Sequence, residues 1–136
     1  MRVLGIDVGS IRIGVALSDA LGIVASPHGA IAAEGWGPDA RRVAELVETT
    51  GAELIVVGMP RNLKGEHGPA AESAEGFIKV LTEHVDVPVK TWDERMTTVV
   101  AERSLLEAGK KRNARKDLRD KVAAAVMLQG YLDAQI

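Results

Sequence analysis

Cysteine is absent from the 136 residues, which excludes a disulfide framework, a thiolate metal site and a cysteine nucleophile. Any metal must then be held by oxygen or imidazole ligands. Aromatic side chains number only four, Trp36, Phe77, Trp92 and Tyr131. The core therefore has to be built from Val, Leu, Ile and Ala, and single-strand stacking is a poor prospect, so backbone and shape recognition is expected over base reading. Long apolar runs are missing too. The longest, Val122 to Leu128, is far shorter than the roughly 20 residues that cross a bilayer, so no membrane partner is expected. The opening MRVLGIDVGS is interrupted by Asp7 and lacks a cleavage-site pattern, as expected of a cytoplasmic protein. Neither sign of charge dominates: the formal net charge is −2, and 46% of residues are hydrophobic. That balance excludes a disordered polar tail.

What is present reads as a single α/β domain over residues 1–136, with no repeat or linker. Apolar runs at 2–8 and 11–18 flank Gly9-Ser10 and predict a hairpin, and a third strand is expected within 22–33, where Pro27 marks an edge or a bulge. Pro38 stands where a helix should begin. Val43, Leu46, Val47 and Thr50 give that helix its stripe, and Gly51 ends it. Leu54 to Val57 is a continuous apolar run, as in a strand covered on both faces. After the loop GMPRNLKGEHGP comes a helix with Ala70, Ala74, Phe77 and Leu81 on one side. A short strand from Val87 to Trp92 follows, then a helix from about Thr97 to Gly109, and a last helix ending near Asp133.

The overall charge conceals an asymmetry. From Lys110 to Lys121 seven basic residues face two acidic ones, leaving ten basic and seventeen acidic residues elsewhere. An acidic chain with one basic stretch is suited to a local grip on a polyanion. Lys110, Lys111, Arg112, Arg115 and Lys116 make up most of that stretch, which also reads as a solvated loop. In the 60–69 loop, Arg61, Asn62 and Lys64 stand beside Gly65 and Gly68, where backbone amides can approach phosphate.

Acidic groups stand in three places where packing alone would not put them. Asp7 is a lone carboxylate in an apolar strand; it serves either the turn at Gly9-Ser10 or a site. Asp93-Glu94 directly follows a strand, where ligands of open sheets gather, or else caps the next helix. Asp120 heads the stripe Ala124, Met127, Tyr131 on a helix that is apolar nearly all round. It is either an exposed first-turn partner of Lys116 or Lys121, or a carboxylate that costs several kcal/mol unless paired or bound to metal. Carboxylates brought together from Asp7, Glu94 and Asp120 are stable only around a hard cation such as Mg²⁺ or Mn²⁺. Two such ions ~3.5–4 Å apart serve phosphodiester hydrolysis by activating water and stabilising the leaving oxygen.

The segments GIDVGSIRIGVALSD (5–19), VVGMPRNLKGEHG (56–68), WDERMTTVVAE (92–102) and DKVAAAVMLQGYLD (120–133) resemble, in this order, the YqgF/RuvX family. That family is described as candidate Holliday-junction resolvases or as pre-16S rRNA nucleases. The resemblance implies an RNase H-like fold, a five-stranded mixed sheet with its first three strands antiparallel, flanked by helices. It implies acidic metal ligands at Asp7, Glu94 and Asp120, with Asp93 sharing or replacing the role of Glu94, and two Mg²⁺ or Mn²⁺ ions. Arg12, Asn62, Arg95 and Thr98 match further motif positions, with substrate-binding or supporting roles. One departure is Ile11, where the family pattern leads one to expect Lys.

The expected activity is metal-dependent endonucleolytic cleavage of structured nucleic acid: maturation of the 5′ end of pre-16S rRNA, or resolution of branched DNA. The protein would act as a monomer or a weak homodimer, since symmetric junction cleavage needs two sites. Two other readings compete. GIDVGS also looks like the phosphate turn of actin-like ATPases and sugar kinases, although a second glycine-rich turn is lacking. A non-catalytic RNA-binding assembly factor would keep the same acidic residues for folding.

Overall fold

In this computed structural model the described residues are 1–9, 11–59, 69–93 and 112–135, with side chains described except at 69–71 and 112–121. Three strands open the chain: β1 (Val3–Val8), β2 (Arg12–Ser18) and β3 (Ala25–Ala32). They are followed by α1 (Trp36–Thr50), β4 (Leu54–Met59), α2 (Pro69–Thr82), β5 (Val89–Asp93) and α3 (Arg112–Ala134). The sheet order is β3-β2-β1-β4-β5. β1 pairs antiparallel with β2 and parallel with β4, while β5 joins β4 in parallel. The expected antiparallel meander followed by parallel additions is therefore what forms, and the first strand of the chain is the central one.

Period-two alternation divides the sheet's side chains between two cores. Leu4, Ile6, Ile13, Val15, Ile55 and Val57 pack with Ala40 and Val43 of α1 and with Phe77 and Leu81 of α2. Val3, Ala16, Leu54 and Val56 pack with Ala124, Met127, Leu128, Tyr131 and Leu132 of α3. All six residues of β4 are buried, as its unbroken apolar run requires. Gly5 lets α3 lie close on the sheet, because a Cβ there would stand 2.9 Å from the Leu128 Cβ.

The element boundaries differ in instructive ways. α1 begins at Trp36 rather than Pro38. Its start is secured by buried Asp39, whose carboxylate accepts the backbone N–H groups of Glu34 (3.0 Å) and Gly35 (3.3 Å). It ends as expected at Gly51, with φ 73° and its N–H donated to the Val47 carbonyl. β3 is an edge strand whose register shifts between Val15 and Ala16: these pair with Gly29 and Pro27, leaving His28 as the extra residue. α3 starts at Arg112, inside the basic stretch, so Asp120 sits in its third turn rather than its first. The expected 97–109 helix lies outside the described residues. Among those described, no helix is long and apolar enough to cross a membrane.

The end of the sheet where β1 begins is tied down repeatedly. The Val3 N–H donates to the Ser18 hydroxyl (2.7 Å), and the Met1 ammonium donates to the Ala20 carbonyl (2.8 Å). Asp19 Oδ1 accepts from the Ile23 (2.7 Å) and Val24 (3.2 Å) N–H groups. The Ile23 bond, then the Val24 bond, holds this carboxyl below its ordinary range. From α3, the Gln129 carboxamide accepts the Ala25 N–H and donates to the Ile23 carbonyl, both at 2.8 Å.

Candidate active site

Asp7 lies at the opposite end of β1. Since Val3 and Gly5 face α3, alternation puts Asp7 on that face as well. Its cross-strand neighbours are Gly14 of β2 and Gly58 of β4. Side chains directly opposite one another normally have Cβ atoms about 4.5–5.5 Å apart; here neither neighbour contributes one. The row continues through Gly58 to Trp92 of β5. A half-buried carboxylate thus stands between two strands that put no side chain beside it. No ion pair or side-chain hydrogen bond to Asp7 is present among the described residues.

α3 brings Asp120 toward this end. Leu128 lies over Gly5, and Gln129 reaches the start of β3, beside the beginning of β1. From Leu128 back to Asp120 the helix therefore runs toward the carboxyl end of β1. Eight helical residues span about 12 Å and two strand residues about 7 Å, so the helix is long enough to reach the level of Asp7. Asp120 is four, seven and eight positions before Ala124, Met127 and Leu128, all fully buried. Its position thus continues the stripe that packs on the sheet. Lys116, Arg115 and Arg112 lie on the same helix in the turns before Asp120.

Asp93 falls elsewhere. Trp92 packs in the α3 core, with its ring 5.7 Å from that of Tyr131 and edge-on to it at 85°. The next residue must point to the other face, so Asp93 and Asp7 lie on opposite sides of the sheet. Arg12 precedes Ile13, which faces α1 and α2, so Arg12 shares the face of Asp7 on the adjoining strand. Glu94, Arg95, Thr98, Arg61, Asn62, Lys64, Lys110 and Lys111 lie outside the described residues. Among those described, no group of three or more His, Asp or Glu is placed to hold a metal ion.

The flanking glycines were the missed signal. A glycine inside an apolar strand marks close approach of something other than a side chain, and Gly14 and Gly58 are such residues. Trp92 and Tyr131 also belong to the wall of this face, their pairing being set only by the tertiary fold. Asp7 offers carboxylate oxygen, the kind of donor a hard cation takes.

The family model described as RuvX, Holliday junction resolvase, matches residues 1–134. The chain is 46% identical over 134 residues to a protein of Desulforamulus reducens, with 98% of each chain covered. It is 47% identical over 135 residues to one of Halothermothrix orenii, covering 99% of this chain and 96% of that one. Both are provisionally named pre-16S rRNA nucleases. T. thermophilus RuvC in complex with a Holliday junction substrate gives a TM-score of 0.62 at 22% identity, covering 99% of this chain and 95% of that one. The fowlpox virus resolvase with junction DNA gives 0.60 at 10%, covering 100% and 99%. A ROK hexokinase from Thermus thermophilus gives 0.51 at 23%, over 77% of this chain and 38% of that one. At such identities the structural likeness is one of fold, here the RNase H-like fold, which sugar kinases share.

Proposed function

The chain belongs to the RuvX family, and from that premise we propose that it is a divalent-metal-dependent endonuclease that trims the 5′ end of pre-16S rRNA. The observation that carries the proposal is Asp7: a carboxylate at the carboxyl end of the central strand, facing α3 between two glycines. Its relatives' names give the substrate. Asp7, Asp120 and Glu94 are assigned as the residues that hold Mg²⁺ or Mn²⁺. Asp93 is given no ligand role, because it stands on the other face of the sheet. A bound pair of divalent cations supplies an activated water and charge stabilisation for the leaving oxygen.

The chain's own residues supply the rest. Gly14 and Gly58 leave room beside Asp7 for a phosphodiester to approach. Arg12, on the same face, and the basic residues Arg112, Arg115 and Lys116 of α3 position the substrate backbone electrostatically. Lys110, Lys111, Arg61, Asn62, Lys64, Arg95 and Thr98 are assigned to the same task on the strength of the motifs they belong to.

The second reading, cleavage of branched DNA, is favoured by the family's description as a Holliday junction resolvase. One experiment separates the readings: precursor-type RNA, blunt duplex DNA and a four-way junction are each incubated with Mg²⁺, Mn²⁺ or chelator. Metal-dependent cleavage of the RNA is expected. Symmetric cut pairs in the junction alone would favour branched DNA. Chelator-insensitive RNA binding without any cleavage would overturn the nuclease assignment in favour of an assembly factor.

A further inference from the structure

On the face of the sheet opposite Asp7, where β1 ends, a cleft of about 200 Å³ opens between α1 and α2. Val8, Gly9 and Ile13 form its floor, and Trp36, Phe77 and Ser73 are among its walls. Drug-sized ligands occupy pockets of about 300–1,000 Å³, so this one is sized for a single flat ring system. Among the described residues its one charged lining residue is Asp39, a carboxylate. That carboxylate disfavours a phosphate beside it and favours an uncharged ring that carries N–H donors. Each Asp39 oxygen accepts one backbone N–H and retains capacity for another donor.

All four aromatic side chains of the protein are described, and Trp36 is the most exposed of them. Phe77 is 1% exposed and Tyr131 7%, while Trp92 is half-buried and packed edge-on against Tyr131. Trp36 is 47% exposed. Its six-membered ring lies against α2 at Gly76, where a Cβ would collide with it. Glycine at 76 thus seats the indole at the cleft, at the same end of β1 as Asp7.

We infer that the cleft receives one unpaired base of the nucleic-acid strand whose backbone crosses at Asp7, with Trp36 as the stacking surface and Gly76 as the residue that positions it. Resting on the nuclease reading above, this names the substrate class: strands with an unpaired nucleotide close to the scissile bond, such as a precursor tail or a flap, rather than continuous duplex. The sparse aromatic content argues against single-strand stacking in general, and the exposed Trp36 is the departure from that expectation. One indole suffices for one base.

The test needs no turnover. With chelator present, single-stranded oligoadenylate is titrated into the protein while indole emission is followed, with blunt duplex as the comparison. Quenching is expected in the wild type and is lost in Trp36→Phe. Trp36→Ala should weaken oligoadenylate binding between about fivefold and a hundredfold, as for one base–aromatic stack, and leave duplex binding unchanged. Gly76→Ala should weaken oligoadenylate binding in the same sense while retaining the aromatic. Unaltered oligoadenylate affinity in Trp36→Ala, or an equal loss toward duplex, would overturn the inference. Quenching by a protein that cleaves nothing supports the base site and sinks the nuclease assignment; cleavage without quenching does the reverse.

Discussion

The two ends of β1 are built on different principles. At its beginning, polar groups are matched with partners: the Ser18 hydroxyl to Val3, the Asp19 carboxylate to Ile23 and Val24, and the Gln129 amide to Ile23 and Ala25. At its other end Asp7 has no such partner among the described residues, and glycines flank it. Satisfied hydrogen bonds hold the fold at one end; at the other stands a carboxylate with no such bond among the described residues, where the proposed chemistry would take place. Such a division between stability and activity is common in enzymes.

If the division is real, substitutions at the two ends should separate stability from turnover. The largest expected effect is that of Asp7→Asn. Cleavage should fall by about a thousandfold or more, which corresponds to about 4 kcal/mol of lost transition-state stabilisation, while the melting temperature holds or rises. Parallel cleavage and calorimetric measurements check this, and a lowered melting temperature would make Asp7 a structural residue. Next comes Gln129→Ala, which strips two backbone partners from the β2–β3 connection. It should cost about 1–2 kcal/mol in denaturant unfolding and leave cleavage per folded molecule unchanged. A loss of activity in that variant would mean that the two ends are coupled.

The smallest effect concerns Asp19. Its carboxyl titrates lower in the folded chain than in the unfolded one. The contribution it makes is therefore complete above the ordinary carboxylate value, about pH 3.9, and disappears as pH drops through the lowered folded value. Wild type should lose an acid-labile increment of stability that Asp19→Asn lacks, measurable in melts between neutral and strongly acidic pH. Identical acid profiles would show that these two hydrogen bonds add nothing.

Much of this was legible in the sequence because it is periodic. An unbroken run such as Leu54–Val57 is what a doubly covered strand needs, and the spacing of Ala74, Phe77 and Leu81 fits one helix face. Asp7 was legible because a charge within an apolar run has to be explained. What one sequence cannot express is which face a residue takes relative to a partner remote in the chain. Asp93 and Glu94 read as interchangeable until the packing of Trp92 sent Asp93 to the far side. Gln129 and the seat of Trp36 on Gly76 likewise depend on contacts between separate elements, for Gln129 more than a hundred residues apart. The α3 boundary was misplaced because charge suggested a loop, whereas Arg and Lys are good helix formers.

The order in which the layers are completed has a consequence during synthesis. All five strands leave the ribosome before α3, and among the described residues α3 alone covers Val3, Ala16, Leu54 and Val56. A nascent chain paused ahead of Ala124 thus displays a greasy flank to the crowded interior of the cell, the sort of surface that chaperones hold and proteases find.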